Sequence, residues 1–428
     1  MLKRSPLSFS RSIPVTVALS VFAVVTAVAG AAPASAAPAG VAAHEMRGAG
    51  LHAVVHSTAD ANQPAQKPDS LVAAKAPTAC PAPAEGKSVG CLTVGTSHRV
   101  SVSASPNSIL ASTTVAPIPQ WCIDNAYKGV YGLRTGACQV TTLRYTTSTT
   151  QNGVTQQTGQ LDSNVINYEY SDTGLPDWAH QIEISAYTGW GDALNATIEG
   201  SASSNGSCTT GNTTFPAQAV QPLQSWRAGE AFYSTTATAP GAIGNCDTTW
   251  NLTYRNGIYT PAGIAYDTNN VRCDNATAGN ARVGCVVPWY ASALQYSQSA
   301  NPTLASHVSQ AQASGLPGAT FAAPLVRTTN PAVITQNRTQ ACGDAPSIQS
   351  LSCDEYPIAT SYQGLSAGGT RRTFDGCSFN LPRQTGPAGV SVCMIAATDN
   401  NSQGGTNTQF FRGQRMLDGD PFRVLVVA

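Results

Sequence analysis

Across 428 residues the chain carries 23 basic and 23 acidic side chains, so its formal net charge is zero, and only 11% of its residues are charged. That balance excludes a protein that holds nucleic acid through a broadly basic face; contact with a polyanion must come from a local patch or through a bound cation. Ser, Thr, Asn, Gln, Gly and Ala supply most of the remaining polar and small positions.

Residues 1–36 read as an export signal. Lys3, Arg4 and Arg11 give the positive start, an apolar run follows over residues 15–29, and Ala34-Ser35-Ala36 gives the small-x-small cleavage pattern. The run is shorter than the roughly 20 residues a membrane span requires, so the mature chain is expected to begin near Ala37, secreted and without stable membrane association. Twelve cysteines, none in a C-x-x-C pair, fit disulfides in an oxidising compartment better than a zinc cluster. The most economical connectivity joins near neighbours: Cys80–Cys91, Cys122–Cys138, Cys208–Cys246, Cys273–Cys285, Cys342–Cys353 and Cys377–Cys393. Sequence alone leaves other pairings open.

Residues 37–79 are Ala/Pro-rich with few large apolar side chains, the composition of a disordered linker or pro-segment. His52 and His56 have helical i, i+4 spacing, but they and His44 lack Cys or acid partners. Residues 80–290 read as an all-β, antiparallel sandwich or barrel-like accessory domain. Segments 99–103, 140–146, 165–170, 182–187 and 249–254 carry β-branched and aromatic residues, often in alternation with polar ones. Asp172-Thr173-Gly174 and Gly189-Trp190-Gly191-Asp192 mark turns, and Asn256-Gly257 marks a hairpin that needs positive φ. His180 stands alone beside Trp178 and reads as structural or surface.

Residues 300–428 read as a small α+β domain. Asn301-Pro302 opens a helix that runs to about Ser314, with Leu304, Val308 and Ala311 on one face and His307 beside them. Asn330-Pro331 opens a second, followed by Asn337 and Arg338. A strand over 390–397 delivers Thr398-Asp399-Asn400 to a flexible Gln-Gly-Gly loop; a short helix near 406–412 and a strand over 422–427 follow.

The chemistry is expected at Cys353-Asp354-Glu355-Tyr356-Pro357 and Asp399-Asn400-Asn401-Ser402-Gln403-Gly404-Gly405. Acids and amides in such loops suit a hard divalent cation, which polarises a phosphate ester and activates water. Pro357 favours extended backbone before it, so Asp354 and Glu355 point to opposite faces and one of them is the direct ligand. His307 is either a general base for the attacking water or a half-buried helix histidine.

Residues 307–427 resemble the NucA/NucB deoxyribonuclease family of secreted bacterial nucleases. The resemblance lies in Ser306-His307-Val308, Leu325-Val326-Arg327, Asn337-Arg338-Thr339 with Cys342, the two acidic motifs, Phe410-Phe411 with Arg415, and Asp418-Gly419-Asp420. It implies a metal-dependent endonuclease that cleaves DNA with little sequence preference, using Mg²⁺ or Mn²⁺. Catalytic roles would fall to His307, Asp354 and Glu355, metal binding to Asp354, Glu355, Asp399 and Asn400, and phosphate contact to Arg338 and Gln403. Two features depart from the pattern: Gln363-Gly364 stands where the family carries Glu before Gly, and residues 365–389 form an insertion that brings Cys377. A noncatalytic cell-surface or glycan-binding protein with a degenerate nuclease domain is the competing expectation; a nuclease toxin carried by the β-rich region is a third.

Overall fold

The structure is a computed structural model that describes residues 63–68, 74–75, 79–100 and 115–428. The export signal, His44, His52, His56 and residues 101–103 of the first expected strand lie outside them.

The chain is mostly β, and its larger part is one curled sheet. In spatial order the main strands are Gln218–Ala219, Thr197–Gly206, Ile243–Asn256, Tyr259–Thr268, Ser88–Gly95, Gly136–Gln151, Val154–Ser171, Asp177–Gly191, Trp226–Thr235 and Cys208–Thr214. These neighbours pair antiparallel, apart from a single parallel pair between Thr260 and Val89. Long twisted strands curl a sheet, and here the ends meet. Gly200 N donates to Phe215 O at 3.1 Å, and the Ser204 and Thr210 hydroxyls lie 2.8 Å apart.

Alternating burial on Ile243–Asn256 matches the period-2 pattern of its sequence. Gly136–Gln151 and Val154–Ser171 are instead buried on both faces over much of their length. One face fills the interior with Leu143, Val165, Trp178, Trp250 and Tyr266. The other is covered by the helix Gln120–Asn125, which packs Cys122 and Ile123 against Val140, Ile166 and Tyr168. The Asn256-Gly257 hairpin forms, with Gly257 at φ 48°. Arg99 and Val100, expected in a strand, are not in one; the strand in that region is Ser88–Gly95. Two pieces of the Ala/Pro-rich segment find partners: Ala65–Gln66 pairs with Tyr131–Leu133, and Ala74–Lys75 with Tyr259–Thr268. Backbone hydrogen bonding is open to any non-proline residue, so side-chain composition did not announce these pairings.

His180 is wholly buried, between Thr248 Oγ1 (3.0 Å) and Asn167 Oδ1 (3.3 Å), and burial pushes its pKa down to about 3. It is a structural histidine. All six near-neighbour disulfides are formed. Among the described residues no helix is long and apolar enough to cross a membrane.

Beyond the curled sheet come β1 (Ser292–Ser297), α1 (Pro302–Ala313), β2 (Leu325–Val326), α2 (Pro331–Cys342), β3 (Leu351–Tyr356), β4 (Arg371–Arg372), β5 (Val390–Ala396), α3 (Ala397–Gly413) and β6 (Pro421–Val427). They make two small sheets, ordered β1-β6-β2 and β3-β5-β4. The Asn-Pro starts of α1 and α2 fall where the sequence places them, and Asn330 Oδ1 caps α2 through Ala332 N at 3.0 Å. α3 differs from expectation. It begins at Ala397 and swallows the segment read as a flexible loop, Gly404 and Gly405 included.

This part is fastened to the curled sheet by buried charge. Arg134 donates to Asp420 Oδ2 (2.8 Å), Arg272 to Asp420 Oδ1 (2.5 Å), and Arg415 to Asp274 Oδ1 (2.9 Å). Arg134 also donates to Gln414 O (2.7 Å) and Arg415 O (3.0 Å). The two arginines hold the Asp420 carboxyl below its ordinary pKa although burial pulls the other way.

Candidate functional site

β3 is an edge strand, paired antiparallel with β5 so that Asp354 lies opposite Cys393 and Glu355 opposite Val392. Its side chains alternate between two faces. One face meets α1 and the other meets α2, so the two acids are separated by the strand itself.

Asp354 points to α1. Its Oδ2 accepts from His307 Nδ1 at 2.6 Å, and His307 Nε2 shares a hydrogen bond with Ser391 Oγ at 3.0 Å. Ser391 also donates to Tyr356 O at 3.3 Å. An acid, an imidazole and a hydroxyl in this order are the parts of a nucleophilic triad. Here they are 2%, 1% and 0% exposed, which keeps substrate from the hydroxyl. Both ring nitrogens of His307 are engaged, so the structure places it as a buried tie between α1, β3 and β5 and not as a base facing water. The sequence signal for Ser391 is a polar residue between Val390 and Val392 in an apolar strand, which must find a buried partner.

Glu355 points to α2 and is half-buried. Its carboxyl accepts from the Ala359 amide and its Oε2 lies 3.6 Å from Cys342 Sγ, at the disulfide that joins α2 to β3. Burial first, and the Asp354 charge second, push its pKa up to about 8; Arg338 and the Ala359 amide pull against them. Arg338 is exposed on α2 and makes no ion pair among the described residues.

The neighbouring residue, Asn337, is buried and holds the loop after β3. Its Nδ2 donates to Ala359 O (2.9 Å) and Ser361 O (3.1 Å), and its Oδ1 accepts from Ser366 N (2.9 Å). Gly364 packs so closely that an added Cβ would overlap the Asn337 amide. Gln363, the departure from the family pattern, uses its Oε1 to accept from Val326 N at 2.8 Å. The insertion is ordered: Cys377 is bonded to Cys393, while Phe379 and Leu381 pack near Ala341 and Val392.

The second acidic motif serves helix ends. Asp399 Oδ2 accepts from Thr303 N (2.9 Å) and Thr303 Oγ1 (2.7 Å), supplying the cap that Asn301 does not give α1. Those bonds hold its pKa down against the opposing effect of burial. Asn400 Nδ2 donates to Ser352 Oγ (2.8 Å) and Cys353 O (3.0 Å), tying α3 to β3. Gln403 is buried beside the Tyr296 hydroxyl and does not face a substrate.

The expected set of Asp354, Glu355, Asp399 and Asn400 therefore does not gather round one ion. Among the described residues no group of three or more His, Cys, Asp or Glu is placed to hold a metal. Of the three acids, Glu355 is the one whose residue is only half-buried. Elsewhere in these elements Arg371 pairs with Asp344 at 2.7 Å, and Arg372 and Arg415 are buried. No family model matches the chain, and no curated protein matches it.

Proposed function

We propose that the chain is a secreted endonuclease that hydrolyses phosphodiester bonds of DNA with little sequence preference, and that its reacting side is the α2 face of β3. One observation carries the reading: an acid that titrates near neutrality, Glu355, stands by an exposed arginine, Arg338. A planar guanidinium donates two parallel bonds to a phosphate. A carboxyl with a pKa of about 8 exchanges its proton at working pH, as general acid–base catalysis requires. The Ala359 amide and the Cys342–Cys353 bond orient Glu355, and the His307–Asp354–Ser391 tie fixes the strand behind it. Mg²⁺ keeps several waters and takes one or two carboxylates beside a substrate phosphate; an ion here would be held mainly by that phosphate and by water, with Glu355 left as the proton carrier. When bound, the ion supplies positive charge at the phosphate.

Nicking of supercoiled plasmid by the disulfide-bonded protein, with Mg²⁺ or Mn²⁺ against EDTA, tests this. Glu355→Gln and Arg338→Ala should each lower the rate at least about 100-fold. Cleavage that persists in Glu355→Gln overturns the site. A noncatalytic, cell-surface or glycan-binding protein is the second reading, favoured by the spending of His307, Asp354, Asp399, Asn400 and Gln403 on internal contacts. No cleavage with either metal would select it.

A further inference from the structure

Tyr362 is a large side chain left in solvent, 41% exposed. A surface tyrosine usually rotates freely, but this one is held at both ends. Its backbone N donates to Val326 O at 2.9 Å, and its hydroxyl donates to Asp418 Oδ2 at 2.8 Å. Asp418 Oδ1 in turn accepts from Thr329 N at 2.7 Å, just before α2. The loop that carries Tyr362 is the one Asn337 clamps, and it also supplies the Ala359 amide to Glu355. One rigid loop thus connects the exposed ring to the acid. Arg338 follows Asn337 on α2, the helix whose Asn337 clamps that same loop.

We propose that Tyr362 is the stacking platform for an unpaired base, so that this site takes single-stranded or locally melted nucleic acid. The proposal rests on the phosphodiesterase reading above. With the hydroxyl anchored, the ring remains as the part available to a ligand, and any base has a π-face to lay on it. Ordering the side chain in advance removes an entropic cost from binding. Arg338 supplies the complementary charge for a backbone phosphate, and Arg327 offsets the Asp418 carboxylate next to the ring. A base already stacked in a duplex has no face to offer, so the platform discriminates by strandedness and not by sequence.

The test uses the full chain in a Glu355→Gln background, with a fluorescein-labelled oligodeoxynucleotide offered single-stranded and as its own duplex. Tyr362→Ala should weaken single-strand binding about tenfold and leave duplex binding unchanged. Tyr362→Phe, which keeps the ring and loses the hydroxyl, should retain most of the single-strand affinity. Matching thermal melts show that the variants are folded. Single-strand binding unchanged in Tyr362→Ala, or an equal loss on the duplex, overturns the stacking role. If the Tyr362→Ala protein with Glu355 intact still nicks plasmid, the nuclease reading survives that failure. A parent protein that neither binds nor cuts either form overturns both.

Discussion

Glu355 is in conflict with its surroundings, and that conflict is measurable as stability. Its folded pKa of about 8 lies above its ordinary 4.5, so the folded chain binds the proton more tightly than the unfolded chain does. Below pH 4.5 both states hold the proton; between 4.5 and 8 the folded state loses stability as pH rises, and above 8 the loss is complete. The full shift corresponds to about 5 kcal/mol, which partial exposure cuts to about 2 kcal/mol. Glu355→Gln should therefore be more stable than the parent at pH 9 and equal to it at pH 4, read by thermal melting. Glu183 titrates in the same window, so the difference between variant and parent is the quantity that isolates Glu355. His307 behaves oppositely. His307→Ala strands the buried Asp354 and should cost about 3 kcal/mol at neutral pH, whereas a histidine facing water would be removed with little loss of stability.

At the scale of elements, α3 offers a direct test of why the sequence misled. Gly404 and Gly405 sit inside a 17-residue helix with open space where a Cβ would stand. Each should cost roughly 0.5–1 kcal/mol relative to alanine, so Gly404→Ala and Gly405→Ala should each raise the melting temperature. A fall would show that the folded helix does not accommodate a methyl group at these positions. The run Asp-Asn-Asn-Ser-Gln-Gly-Gly has the composition of a turn, and local propensity alone favours a loop. Tertiary contacts override it: Asp399 bonds Thr303, Asn400 bonds β3, and Phe411 packs against Phe422. Signals that act locally were legible. The Asn-Pro helix starts, the Asn-Gly hairpin and the disulfides, closed over 11 to 38 residues, all appear where the sequence places them. The opposed faces of Asp354 and Glu355 were legible too, from strand alternation. Their partners were not, because Asp354 finds His307 across 47 residues and Asp399 finds Thr303 across 96.

For the whole molecule, the cluster of Arg134, Arg272, Arg415, Asp274 and Asp420 decides whether the curled sheet and the C-terminal elements stand apart. Asp420→Ala leaves buried Arg134 without its paired carboxylate and Arg272 with only Asp274 at 3.9 Å, and should cost about 3–5 kcal/mol, seen as a lower unfolding midpoint in urea. Adding Arg134→Met to Asp420→Leu should recover part of that loss relative to Asp420→Leu alone, since an apolar replacement removes one stranded charge. Equal costs for the single and double variants would mean that water reaches the cluster.

That cluster also sets an order of events. Arg134 lies 286 residues before the carboxylate it pairs with, and Arg272 lies 148 before it. During synthesis both cations precede their anion, and they stay in water until the C-terminal residues that cover them, Gln414, Arg415 and Asp420, arrive. The junction between the first-made half and the last-made segment is therefore the last contact to close. Until residue 420 arrives that junction stays open, and long-range closures of this kind are slow.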